Sequence, residues 1–144
     1  MKFNTLAILV VDDSQFTSSL VVEIFRRWEA KAVYMAADGE AALRELSTRA
    51  LDLVIMDWNM GATNGLDLVR ELRTSPDNRN QSVPIVMLTG HAEKSRVIEA
   101  RDAGVNGFLV KPFAPKTLLR RVQQVLEDPD RMSRATFEEI TEDS

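Results

Sequence analysis

Cysteine is absent from all 144 residues, which excludes disulfides and thiolate metal sites and fits a reducing compartment. Long apolar runs are also missing. The N-terminal run from Leu6 to Val11 is too short to span a membrane, and it leads into two aspartates rather than a small-residue cleavage site. No targeting segment is read, and cytoplasm is the expected location. Positive charge is not in excess: the formal net charge is -4, with 18 basic and 22 acidic residues. After Glu127 the chain has six acidic and two basic residues, so residues 1–127 balance at 16 against 16. A balanced body with an acidic tail gives no electrostatic reason to expect nucleic-acid or membrane binding. Low-complexity segments and sequence repeats are lacking as well. What remains is an ordinary soluble composition, 44% apolar and 28% charged, in a chain long enough for one domain with a real core.

The apolar residues fall into five short runs. The central one, LDLVIMDWN from Leu51 to Asn59, reads as a parallel-sheet strand covered on both faces that delivers Asp57 to its own carboxyl end. LAILVV (Leu6–Val11) ends in the same way at Asp12 and Asp13. Ala32–Ala36, PIVMLT (Pro84–Thr89) and Gly107–Val110 complete the set, the last ending at Lys111-Pro112. Helical patterns lie between them. The first is capped by Ser14 or Asp13, and the four-residue spacing of Phe16, Leu20, Ile24 and Trp28 predicts its buried face. A second runs from about Glu40 to Ser47 after an Asp38-Gly39 turn. A loop over Gly61–Gly65 precedes a third, marked by Leu66, Val69 and Leu72, and a polar surface connection covers Thr74–Ser82. The helix over Glu93–Ala103 has a weak stripe of Val97, Ile98, Ala100 and Ala103, so it is expected to be the least firmly anchored; Gly104 stops it. Leu118, Leu119, Val122, Val125 and Leu126 mark the last helix. Five β/α alternations with short connections require parallel strands, and right-handed crossovers place helices on both faces of a doubly wound α/β sandwich. Beyond Pro129 the tail offers Thr136 and Glu139 as a capping pair but too few residues to hold a helix alone; it is expected to be disordered, docked or a linker.

Parallel strands bring Asp12, Asp13, Asp57, Thr89 and Lys111 to one edge of the sheet, where open α/β sheets keep their sites. Singly, each has a bland explanation: a turn or cap for the aspartates, a strand end for Thr89, a solvated charge for Lys111. Together they are a candidate site. Three adjacent carboxylates repel one another, and a divalent cation relieves this; an all-oxygen set favours magnesium, manganese or calcium over zinc. With magnesium and the lysine ammonium neutralising phosphoryl oxygens, Asp57 can act as a nucleophile and the Thr89 hydroxyl can donate to another oxygen, giving an aspartyl phosphate.

VVDDS, the strand ending in MDWN, MLTG and FLVKPF, in this order, resemble the receiver domain of two-component response regulators over residues 6 to about 127. MDWNM and the following NGLDL give it the look of the single-domain chemotaxis response regulator. The resemblance implies a flavodoxin-like fold with the five-stranded order 2-1-3-4-5. It divides the chain into a receiver domain, residues 1–127, and an acidic tail, residues 128–144. It implies Mg2+-dependent phosphorylation by a histidine kinase or phosphotransfer protein. Such a domain is not a conventional enzyme; it catalyses its own phosphorylation and a slow dephosphorylation, and its phosphorylated state changes binding of an output protein or of an output domain cropped beyond residue 144. Residue by residue, Asp57 matches the phosphoacceptor and a metal ligand. Asp13 and the Asn59 carbonyl match further ligands, and Asp12 holds the metal through water. Thr89 and Lys111 match the phosphoryl contacts, and Thr89 and Phe108 the switch pair. Lys111-Pro112 matches a bond that is cis in the family and would aim the ammonium into the site.

The sequence also departs from the pattern. Gly61 stands where the family often has proline, so a looser loop after Asp57 is expected. Phe108 replaces the tyrosine of the chemotaxis relative. Asn59 and His91 lie where the family tunes phosphate lifetime, although a lone loop histidine is otherwise best read as solvated. Three other readings compete. A flavin or nucleotide site wants a glycine- or hydroxyl-rich phosphate loop after the first strand, where VVDDSQ offers two negative charges. An aspartyl-phosphate phosphatase of the haloacid dehalogenase type wants a second aspartate two positions after its nucleophile, where Asp12 is followed by Ser14 and Asp13 by Gln15. A receiver-shaped scaffold that is never phosphorylated has the same site residues and stays open.

Overall fold

Short segments rich in Val, Ile, Leu and Met form the strands, and the polar residues that end them begin the next turn or cap the next helix. The computed structural model describes residues 3–90, 93–136, 138 and 140; His91 and Glu139, both singled out above, lie outside the described residues. Among the described residues the order is β1 (Ala7–Val11), α1 (Gln15–Arg27), β2 (Ala32–Ala36), α2 (Gly39–Thr48), β3 (Leu53–Asp57), β4 (Asn59–Met60), β5 (Thr63–Asn64), α3 (Gly65–Arg73), β6 (Ile85–Thr89), α4 (Lys94–Ala103), β7 (Gly107–Val110), α5 (Pro115–Glu127) and α6 (Arg131–Arg134). Five parallel strands make one sheet in the order β2-β1-β3-β6-β7. Because β4 and β5 pair only with each other, this is the expected 2-1-3-4-5 order of a doubly wound sheet.

Alternation along the strands divides the core. Leu9, Val11, Val54, Met56, Met87 and Phe108 face one layer of helices, α2, α3 and α4. Ile8, Val10, Leu53, Ile55, Leu88 and Leu109 face the other, α1 and α5. β3 has four buried residues before Asp57, as a central strand covered on both faces should. Burying each large aliphatic side chain stabilises the fold by roughly 1.5–3 kcal/mol before chain entropy is counted.

The face expected for α1 is corrected by the structure. Phe16 is 81%, Leu20 43% and Trp28 48% exposed; of the four, only Ile24 is buried. The residues that pack are Ser18, Val21, Val22, Ile24 and Phe25. A strict four-residue repeat advances about 40° per step around a helix of 3.6 residues per turn, so the stripe from Phe16 to Trp28 winds away from the sheet. A 3-4-3 alternation stays on it.

The other helices follow their caps. The Ser14 side chain accepts from the Thr17 amide, Asp38 from that of Ala41, and Asn64 from that of Leu66. α4 has no side-chain cap bond; it buries Val97 and Ala100 and ends at Gly104 with φ of 104°. The loop expected over Gly61–Gly65 holds the turn and second strand of the β4–β5 hairpin, and Gly61 turns it at φ of 59°, a value proline cannot take. The Thr74–Ser82 connection is more than surface. Asn80 is buried, donates to the carbonyls of Leu46 (2.7 Å) and Arg49 (2.6 Å) and accepts from the Leu51 amide (3.0 Å), tying it to the end of α2 and the approach to β3.

Candidate functional site

Asp57 is the last residue of β3 and Asp12 the first after β1, so parallel pairing of the two strands, with Val11 opposite Met56, brings their carboxylates together. Carboxylate oxygens of Asp12, Asp13 and Asp57 lie within 4.8 Å of one another. Asp12 is almost wholly buried; its Oδ1 accepts from the Ser14 amide at 2.8 Å and its carbonyl from the Ser18 hydroxyl at 3.2 Å. This turn fixes the loop that leaves Asp13 exposed beside it. Gly61 approaches from the other side: a Cβ there would stand 3.6 Å from Asp13 Oδ2.

Lys111 supplies the positive charge. It follows β7, its amide donates to the Thr89 carbonyl at 2.7 Å, and the Lys111-Pro112 bond is cis. Its ammonium reaches Asp57 Oδ1 at 3.0 Å and Asp12 Oδ2 at 3.5 Å. Burial pushes the Asp57 carboxyl up from its ordinary value; the Lys111 hydrogen bond and charge pull it down, and Asp12 and Asp13 push it up again, leaving it raised. One ammonium against three carboxylates leaves an oxygen-lined pocket short of positive charge, and that donor set suits a hard divalent cation.

Thr89 closes β6 and is buried, one position beyond Leu88, the register partner of Asp57. Phe108 is fully buried and meets Trp58 edge-on, with ring centroids 6.4 Å apart and the ring planes at 82°. Trp58 directly follows Asp57, and the Arg96 guanidinium of α4 stacks 4.8 Å over its ring. Asn59 is exposed in the hairpin, paired with Asn64. The strand ends thus gather Asp12, Asp13, Asp57 and Lys111, with Thr89 beside them, while Phe108 joins the site through Trp58.

Two contributors escaped the sequence reading. A Cβ on Gly65 would stand 2.6 Å from the Asp57 carbonyl oxygen, and its amide donates to Trp58 O at 2.7 Å, so only glycine lets α3 start against the end of β3. The Asn-Gly pair at 64 and 65 was a visible turn signal, but nothing in it pointed to Asp57. Arg96 carried no signal, because a stacking arginine on a weak helix looks like a solvated one.

The response regulator receiver domain family matches residues 8–123. The chain is 35% identical over 120 residues to chemotaxis protein CheY of Pseudomonas aeruginosa, covering 83% of this chain and 95% of that protein. It is 40% identical over 124 residues to chemotaxis protein CheY1 of Helicobacter pylori strain J99, covering 85% and 98%. Among solved structures, the chemotaxis response regulator CheY4 of Vibrio cholerae superposes with a TM-score of 0.77 at 33% identity, covering 84% of this chain and 98% of that one. With the sheet order, the aspartate cluster and these relatives in agreement, the chain belongs to the response regulator receiver domain family.

Proposed function

We propose that Asp57 accepts a phosphoryl group from a histidine kinase or phosphotransfer protein in a Mg2+-dependent reaction, and that the phosphorylated state changes partner binding. Residues 1–127 act as the receiver and residues 128–144 as an appended tail. The observation that carries this reading is the Lys111 ammonium 3.0 Å from an Asp57 carboxylate packed against Asp12 and Asp13 at the sheet's carboxyl edge. An Asp57 oxygen attacks phosphorus, the donor's N–P bond breaks, and its electron pair returns to the imidazole nitrogen. Asp12, Asp13, Asp57 and the Asn59 carbonyl would hold Mg2+, which supplies positive charge to the phosphoryl oxygens when bound. Lys111 steadies a further oxygen by a charge-assisted bond, and Thr89 donates its hydroxyl.

The switch follows from the same residues. A phosphoryl group on Asp57 draws Thr89 inward, the space beside β7 opens to Phe108, and the surface of α4, β7 and α5 is reshaped for a partner. Phe108 has no hydroxyl that needs a partner when buried, so the unphosphorylated chain samples the inward packing already, in keeping with a fully buried ring. Basal partner binding is then detectable and phosphorylation raises it by a modest factor, short of the roughly 5.5 kcal/mol needed to swing 1:99 to 99:1.

Intact mass after incubation with a small phosphodonor tests the proposal. The expected result is one added phosphoryl group with Mg2+, none with chelator, and none on Asp57→Asn. Equal uptake by the variant, or no uptake by the wild type, overturns it and favours a receiver-shaped scaffold.

A further inference from the structure

β7 is an edge of the sheet, bonded to β6 on one side, and an edge strand flanked by two helices is a surface that other chains can use. In this protein the surface is already partly occupied. The segment after α5 turns back across it, and Met132 and Ile140 are both 4% exposed, within the same core layer as Phe108, Val105 and Ala100. Three side chains of the body hold the segment by its main chain: Asn106 Nδ2 donates to the Pro129 carbonyl at 2.8 Å, Arg101 Nη1 to that of Ala135 at 3.5 Å, and Arg121 Nη1 to that of Ile140 at 3.1 Å. These donors come from the last turn of α4, the turn into β7, and α5, the three elements that border the edge. Arg121 is itself 5% exposed, and an arginine is buried that deeply only when its guanidinium is satisfied. A cavity of about 20 Å³ under the segment, bounded by Gly107, Val125, Met132 and Ile140, shows how closely it roofs the amino end of β7.

We infer that the segment after α5, anchored by Met132 and Ile140, is an intramolecular competitor for the α4–β7–α5 surface, which a partner using the whole of that surface must displace. The identity of the surface as the partner face rests on the function proposed above; its occupation by the tail does not. The segment lies outside the residues 8–123 that match the family, so it is an addition to the shared switch. It also sits at the opposite end of β7 from Lys111, so docking does not obstruct phosphoryl transfer. A tethered segment competes at a high effective concentration, and partner affinity is multiplied by the fraction of chains whose tail is released. The tail adds a threshold to a switch whose aromatic already samples the inward packing.

The test uses the full chain and a fluorescent synthetic peptide of residues 128–140. In Met132→Asp/Ile140→Asp the tethered tail is dislodged and the peptide is expected to bind saturably; the wild type, its surface occupied, should bind at least tenfold more weakly. Adding Arg121→Ala to the double variant should weaken the peptide again. Equal binding by wild type and double variant, or binding by neither, overturns the inference. Far-UV circular dichroism confirms that the variants are folded, and Ile140→Asp alone provides a milder version of the same comparison. Repeating the titration on the double variant after phosphodonor treatment, with uptake read by intact mass, separates the two proposals. A phosphorylated chain should change its peptide affinity at least threefold, and an unchanged affinity means that the tail does not compete for the switch surface. A chain that takes up no phosphoryl group overturns the proposed function, and tail occupation is then decided by the first titration.

Discussion

Asp57 is held in a setting that favours its neutral form, and this has a measurable consequence for stability. Its carboxyl is raised above 3.8, first by burial, against the pull of Lys111 and with the push of Asp12 and Asp13. The folded chain therefore holds this proton more tightly than the unfolded one. Its contribution to stability is fully present below the unfolded value and is lost as pH rises through the folded value. Asp57→Asn removes that loss while keeping an oxygen for Lys111, so in chelator at pH 7 the variant should melt higher than the wild type, with the gap closing as pH falls below 3.8. A variant that melts lower at pH 7 would mean that the Lys111 ion pair outweighs burial. Cation binding relieves the same crowding, so Mg2+ should quench Trp58, buried next to Asp57. The titration belongs in a Trp28→Phe background because Trp28 is half exposed, and an unchanged titration in Asp13→Ala would contradict the site. Residues of this kind were legible from sequence because a polar group ending an apolar strand has its position fixed by the strand. Arg96, whose place depends on stacking against Trp58, was not.

Elements were legible where their pattern was short and rigid. β2 and β7 start and end where the apolar runs do, and Asp38 caps the helix after its turn. The α1 face is not legible from spacing alone, because residues four apart look like a stripe in sequence while drifting around the helix. Asn80 was missed because a buried polar residue in a polar connection has no compositional mark; its three bonds link segments about 30 residues apart. Gly65 is the element-scale feature with the sharpest consequence. In Gly65→Ala the new methyl meets the Asp57 carbonyl oxygen, a backbone atom that cannot rotate aside. The expected loss is about 1–3 kcal/mol in urea unfolding, accompanied by weaker Mg2+ quenching of Trp58 as the end of β3 shifts. A variant with wild-type stability and quenching would show that α3 can start elsewhere.

At the scale of the whole molecule, the proposed switch requires one fold to carry two packings of one core. The alternation of strands and helices made the doubly wound sheet legible, since short connections leave no other way to bury five apolar strands. The docking of the tail is not legible in the sequence, because Met132 and Ile140 are two isolated anchors in an acidic segment and show no helical or strand period. The switch itself is checked by NMR of Phe108 and its neighbours with and without a phosphoryl mimic. Exchange between two ring environments is expected in the free chain, with the inward one gaining population on addition of the mimic. A single outward rotamer without the mimic, or no response to it, would remove Phe108 from the mechanism. The proposed switch depends on an acyl phosphate at one residue, which borohydride trapping tests most directly. Wild-type protein is treated with a small phosphodonor and Mg2+, reduced, digested and sequenced by mass spectrometry. The account predicts homoserine at position 57 only when both reagents were present; homoserine at another aspartate, or at none, would contradict it.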